Sequence, residues 1–508
     1  MTATPQNPFP GLRSFEPEEE HLFFGREKQV DELLTRLRLT RFLTVVGFSG
    51  SGKSSLVRSG VVPALFSGQM SGMGSSWRIS VMRPGIDPIG NLAKALWEPV
   101  AFDYDDDFDL FGDDDEEDDV DPERDRVVRA MLPTTLKRGS LGLVDAVRQL
   151  DLEEGELQLV VVDQFEELFR FKRQSKGGKG DNQAAAFVKL LLEGGAQQKV
   201  PIFVILTMRS DFLENCAEIL GLTEAINEGQ YMVPRMTRAQ RRTAITGPVA
   251  VSGAEMSSRL IMRLLNDVGD NPDQLPILQH ALMRTWKHWH ENHKEDESID
   301  LRHYEAIGTM TGALSMHAEE AFKEQGDQLG QEVARRTLTA LTEKGQDGRG
   351  IRRPATVHEI SLITGVQEES VMACADGFRR QGRSFLVPSG DGPLTPDATL
   401  DISHESLMRV WTRLSNWVEE EAQSARRYCN LAQAAERHQE GIAGLYRDPE
   451  LQMALRWQEE TEPNAFWAER YDSGFERATV FLERSREERD RAEASRELQR
   501  KQLLRLPL

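Results

Sequence analysis

Eight residues, Gly47-Phe48-Ser49-Gly50-Ser51-Gly52-Lys53-Ser54, carry the pattern G-x-x-x-x-G-K-[ST] in full. Gly47, Ser49, Gly50, Ser51 and Gly52 form a stretch whose backbone can curl until its N–H groups converge on phosphate oxygens. Lys53 supplies a point charge to β- and γ-phosphates, and the Ser54 hydroxyl can ligate Mg2+. Ser55 lies in the first turn of the helix that opens near Lys53, whose positive dipole end faces the same anion. A second group completes the chemistry. LQLVVVD ends in Asp163, a carboxylate at the C-terminal edge of a strand, on the side where the loop opens, where it holds Mg2+ directly or through a water. Glu166 and Glu167 follow by three and four residues, and as the chain turns either can orient an attacking water. VILTMR ends in Arg209, whose guanidinium at the strand tip can read a γ-phosphate bidentately, with Asp211 as the competing partner.

These groups need a scaffold. FLTVV (42–46), RISVM (78–82), LQLVVVD (157–163) and VPIFVILT (200–207) are continuous apolar, β-branched runs, the mark of strands buried on both faces. Helical spacing over 27–39, through SLVRSGVVPALF, over 89–96 and over 184–192 alternates with them. The pattern predicts an α/β fold, a parallel sheet with helices on both faces. Residues 1–20 hold four prolines and read as an extended lead-in to this domain, which spans 1–230. Inside it, Asp103 to Asp125 holds fifteen acidic residues and one Arg, with too few apolar side chains to offset ordering entropy, and reads as a disordered insertion. Helical patterns at 238–246, 257–268 and 275–290 form a helical domain over 231–330. Helices at 333–343, 356–363 and 369–381 precede the strand candidates SFLVP and ATLDIS, the outline of a winged helix over 331–420. Residues 421–508 form a helical extension with Trp411, Trp417, Trp457 and Trp467 as packing anchors, ending in a run too polar to bury a face.

Composition narrows the function. At 508 residues the chain is too long for one core. A formal charge of −21 argues against a nucleic-acid coat or an anionic-membrane binder. Three scattered cysteines make neither a disulfide framework nor a zinc site, which points to a reducing cytoplasm. MTATPQNPFPGL has no leader pattern, and no apolar run is long enough to span a bilayer. His288, His290 and His293 crowd one helix end, but only the last two share a face, and they read as a polar helix turn.

The opening NPFPGLRSF, FFGRE, the phosphate loop, DQFEEL, LTMRSDF, NDVGDNPDQLPILQHAL and ISHESLMRVW, in this order, resemble the STAND class of signal-transduction ATPases. Within it the likeness is to the bacterial subgroup called novel STAND NTPase 1, often fused to WD-repeat propellers. The resemblance implies that the helical domain is a lid and that Gly25 and Arg26 line the nucleoside pocket. It also implies that Pro276, in the L-P-I-L turn, packs on the base and that His404 reaches the β-phosphate of bound ADP. DQFEEL is similar to the D-x-x-[DE]-E form of the magnesium-binding strand, which makes Glu167 the first choice for water activation and Glu166 the second. No effector or repeat sensor of the kind members carry is read in this sequence.

The implied activity is a switch controlled by ATP and ADP, with slow hydrolysis, self-association in the ATP state and unidentified protein partners, in bacterial signalling or defence. Driving such a switch from 1:99 to 99:1 takes about 5.5 kcal/mol of differential binding. Two or three hydrogen bonds to charged groups, at about 1.5–3 kcal/mol each, suffice. The alternative is a winged-helix regulator of transcription that binds DNA. Its recognition helix would open on Gln367-Glu368-Glu369, which repels phosphate, with Arg379, Arg380 and Arg383 only at its far end.

Overall fold

The apolar runs become the strands of one parallel sheet: β1 (Phe42–Gly47), β2 (Trp77–Met82), β3 (Leu157–Val162) and β4 (Ile202–Arg209), joined by β5 (Gln230–Met232). Their order is β2-β3-β4-β1-β5, with every pairing parallel. These positions come from a computed structural model that describes residues 7–100, 122–169, 179–269, 274–294, 296–345, 348, 350–390 and 392–503. The chain divides into two units, Met1–Met310 and Thr311–Leu508.

In the first unit the sheet is buried on both faces, as its composition requires. Phe42 and Val46 of β1 join one core, with Val160, Val162, Val204 and Leu206. Leu43 and Val45 join the opposite core, with Leu33 and Leu37 of the helix Glu27–Thr40. Each such leucine, fully buried, contributes about 1.5–3 kcal/mol. β1 lies between β4 and β5, and β3 is the next strand beyond β4, so the carboxyl ends of the three motif-bearing strands open side by side.

Several boundaries differ from expectation. The acidic segment 103–125 lies outside the described residues up to residue 121, but Pro122–Lys137 is helical. Glu123 and Asp125 sit in its first turn, where carboxylates complement the helix dipole, and Leu132 and Leu136 enter the core. A disordered reading to residue 125 was therefore too long. The run after the phosphate loop is not a uniform α-helix: Lys53–Ser55 is α-helical, Leu56–Val61 is a π-helical turn, and Val62–Phe66 is α-helical again. Val62 donates to Val57, one residue further back than in an α-helix. Pro63, which has no N–H and crowds the carbonyl four residues back, accounts for the loosened turn. Beyond β5 come the helices Arg238–Val251, Ser258–Asp267, Gln274–Asn292 and Leu301–Ala306.

The second unit holds the helices Gln328–Ala340, Val357–Thr364 and Glu368–Arg379. Thr342–Lys344 and Gly350–Arg352 pair as an antiparallel hairpin, so the helix expected over 333–343 ends earlier. Thr399–Ile402 pairs antiparallel with both Leu386–Val387 and Ala355–Thr356. The arginines at the end of Glu368–Arg379 are spent internally: Arg379 bonds Asp376 at 2.7 Å, while Arg380 and Arg383 both pair with Glu324. Trp411 is fully buried, 5.7 Å from Trp417, with its indole N–H on Glu319 at 2.8 Å. A separate core gathers Tyr428, Trp457 and Phe481 from the later helices, with Trp467 packed against it. The helix Phe475–Leu503 is exposed along its charged half, from Arg491 on. Cys216 and Cys374 are free and buried, their thiols pushed up to about 12 by desolvation. Among the described residues no helix is long and apolar enough to cross a membrane.

Candidate functional site: a phosphate loop and its carboxylate

β1 delivers the chain to Gly47 and the loop turns back on itself. The Ser51 amide donates to the Phe48 carbonyl at 3.2 Å, and Gly50 and Gly52 take φ of 72° and 85°, a left-handed backbone that side chains disfavour. Gly52 precedes the first helical residue, so the amides of Lys53, Ser54 and Ser55 belong to the open N-terminal turn. The Lys53 ammonium folds back over the loop, donating to the carbonyls of Gly47 (3.1 Å) and Phe48 (2.8 Å). Ser49 is half-buried in the same loop.

Asp163 follows β3 directly and is anchored by its amide, which donates to Met82 at 2.8 Å. Its Oδ1 accepts from the Ser54 hydroxyl at 2.7 Å and from the Thr207 hydroxyl at 2.6 Å. Burial raises the pKa of this carboxyl, but the charges of Arg83 and Arg58 and the hydroxyl bonds from Thr207 and Ser54 outweigh it and hold the group below the usual range. The site thus brings an alcohol and an ionised carboxylate together, hard oxygen donors of the kind Mg2+ accepts. Thr207 also accepts from the Gln164 amide at 3.0 Å, which fixes the turn after Asp163. Sequence reasoning missed this residue, although a threonine in the otherwise apolar run VILTM was the available signal.

The two glutamates diverge. Glu166 accepts from the Arg209 amide at 3.3 Å, and Arg209 is the register partner of Gly47. Glu167 accepts from Gly85 at 3.2 Å, past the end of β2. Both carboxylate residues are buried. Arg209 ends β4 beside the loop as expected, and its guanidinium forks onto Asp211 at 3.0 and 2.7 Å, the competing partner recognised in the sequence.

A sequence model of the family described as Novel STAND NTPase 1 matches residues 8–443. The chain belongs to that family. No curated protein matches it. Among solved structures it is similar to Cdc6p from Pyrobaculum aerophilum, with 13% identity over 78% of this chain and 94% of that one and a TM-score of 0.31. It is also similar to the ORC2 protein of Aeropyrum pernix, with 10% identity over 80% and 95% and a TM-score of 0.40. The Walker-type ATPase PABY2304 of Pyrococcus abyssi matches with 13% identity over 79% and 98% and a TM-score of 0.37.

The remaining residues that novel STAND NTPase 1 membership brings forward are placed as follows. The Gly25 amide donates to Glu27 at 2.7 Å. Arg26 is buried and ties two backbones together, donating to Pro234 at 2.8 Å and to Ser51 in the loop at 3.2 Å. Desolvation lowers its pKa to about 10, against the partial compensation of Tyr231. The GRE segment therefore abuts the phosphate loop, through an arginine engaged with main chain. Pro276 stands in the first turn of the helix Gln274–Asn292, not in a separate turn, a place where its missing N–H costs nothing. In the second unit, His404 joins Thr399–Ile402 to the helix Ser406–Val410. Its Nδ1 accepts from the Ser406 amide at 3.1 Å, so the proton of the neutral ring sits on Nε2. Beside it Arg352, buried, reaches Asp401 at 2.8 Å and Glu405 at 3.2 Å.

Proposed function

We propose that this NTPase is an ATP- and ADP-controlled conformational switch in signal transduction that binds Mg-ATP in the first unit and hydrolyses it slowly. The observation that carries the reading is the 2.7 Å bond between Ser54 and Asp163 at the mouth of the glycine loop, which joins the two motifs expected to share one metal. In this reading the loop amides and Lys53 hold the β- and γ-phosphates, and Gly25, Arg26 and Pro276 bound the nucleoside side. Ser54 and Asp163 would hold Mg2+, which when bound neutralises charge on the phosphate oxygens. Glu166 is better placed than Glu167 to orient water, because its carboxylate lies on the β4–β1 seam and that of Glu167 points toward β2. Arg209 leaves Asp211 to read the γ-phosphate.

Helices 238–292 act as the lid, and residues 331–420 as a winged helix that carries His404 to the β-phosphate of ADP. A proton on Nε2 makes His404 a donor, the role a phosphate oxygen needs. Self-association in the ATP state follows from the same reading. The DNA-binding alternative has less support. Helix Glu368–Arg379 opens on two glutamates, and the arginines at its end are engaged with Asp376 and Glu324.

The test is calorimetry with ATP and Mg2+ together with phosphate release. Lys53→Ala is expected to lose ATP binding, Glu166→Gln to keep binding and lose hydrolysis, and Glu167→Gln to retain most turnover. Wild-type protein that binds neither ATP nor ADP overturns the reading, and normal hydrolysis by Glu166→Gln removes that residue from it.

A further inference from the structure

The N-terminal lead-in builds a charge arrangement against the helical run that leaves the phosphate loop. The Phe15 amide donates to the Ser55 hydroxyl at 3.2 Å, and the Glu16 carbonyl accepts from the Ser59 hydroxyl at 2.8 Å. Both carboxylate oxygens of Glu16 accept from Arg58 Nη1, at 2.9 and 2.8 Å. Glu16 is itself pinned. Its amide donates to Glu19 at 2.8 Å, and Glu19 is forked by Arg13, at 2.6 Å through one nitrogen. Phe15 is buried and meets Phe23 edge to face at 5.6 Å.

Arg58 stands about one turn beyond Ser54, and its charge is one of the two that act on Asp163. An arginine on a long stem beside an ionised carboxylate has a strong competing option, a bidentate pair. Were Arg58 to take it, Asp163 would turn from Ser54 and cease to be available to a metal. The fork from Glu16 removes that option by giving the guanidinium another carboxylate.

We propose that Glu16 is a positioning residue for the metal site: it occupies Arg58 and so leaves the Asp163 carboxylate on Ser54, open to Mg2+. The proposal rests on the reading of Ser54 and Asp163 as donors to Mg-nucleotide, and it gives the segment before the FFGRE motif a part in metal binding that the phosphate-loop pattern does not contain.

The test titrates Mg2+ against the full chain with a fluorescent non-hydrolysable ATP analogue and reads the Mg2+ midpoint of binding, beside the analogue's affinity without metal. Loss of a residue that orients a metal ligand costs about 10–100-fold in metal affinity, and for this half-exposed pair the lower end, about tenfold, is expected for Glu16→Gln. Metal-free affinity stays at the wild-type value. Adding Arg58→Met to Glu16→Gln removes the competitor and returns the midpoint to wild type, which a merely structural role for Glu16 would not do. Arg58→Met alone, whose folding does not depend on the Glu16 variant, leaves the midpoint at or below wild type. An unchanged midpoint in Glu16→Gln, a double variant as weak as the single one, or a raised midpoint in Arg58→Met each overturns the proposal. Wild-type protein with no Mg2+-dependent binding overturns instead the reading on which it rests.

Discussion

Thr207→Val tests how the carboxylate is held. Valine keeps the shape of the side chain and removes one hydroxyl that makes two bonds, donating to Asp163 and accepting from the Gln164 amide. A hydrogen bond to a charged group is worth about 1.5–3 kcal/mol, and a buried amide left without a partner costs about 1–3 kcal/mol. Gln164 is only half-buried, so its amide recovers part of that from water, and the expected loss is about 2–4 kcal/mol. Thr207→Ser is the control: it keeps the hydroxyl and loses a methyl group, about 0.8 kcal/mol. Urea unfolding of the two variants, read by tryptophan fluorescence and circular dichroism, gives the comparison. The pH dependence has a defined sign. The folded Asp163 has a depressed pKa, so its stabilisation is full above the ordinary aspartate range and disappears as pH falls through the folded value. The gap between wild type and Thr207→Val is therefore widest near neutral pH and closes in acid. A valine variant less harmed than the serine variant, or a gap that does not change with pH, refutes the account of Asp163.

Two further outcomes are expected. His404→Ala should weaken ADP binding more than ATP binding, by about tenfold for one lost hydrogen bond to a charged group, measured by calorimetry with each nucleotide; an equal loss for both removes His404 from the switch. His280 is fully buried, and desolvation, aided by the charge of Arg284, lowers its pKa to about 3. Its unfolded form takes up a proton first as pH drops below about 6.5, so stability should fall by up to about 1.4 kcal/mol per pH unit from there toward the folded value, and His280→Leu should flatten that slope in urea melts.

The chemistry of the loop was legible because it is local: glycines at fixed offsets, a lysine, a serine and a strand that must be buried on both sides. Asp163 was legible because a β-branched run has to end at the sheet edge. What joins these pieces was not, because it depends on register. Thr207 reaches Asp163 only because β3 and β4 are neighbours in that alignment. Arg26 was read through the family resemblance as a nucleoside contact, and its bonds to Pro234 and Ser51 span residues far apart in the chain. β5 escaped notice since three residues, Gln230–Met232, carry too little pattern. Thr342–Lys344 was absorbed into a helix because its residues continue a helical spacing and only the pairing with Gly350–Arg352 makes them a strand.

The π-helical turn at Leu56–Val61 also fixes a length. Each residue of an α-helix advances about 100° around the axis, so deleting one residue there would regularise the coil and swing everything downstream by about that angle. Val61, Val62 and Leu65, all fully shielded, would face solvent, while Ser55 before the deletion kept its place against Phe15. An insertion would do the reverse. Substitutions can accumulate in this spacer, but its residue count cannot drift, and chains sharing the fold should align there without gaps.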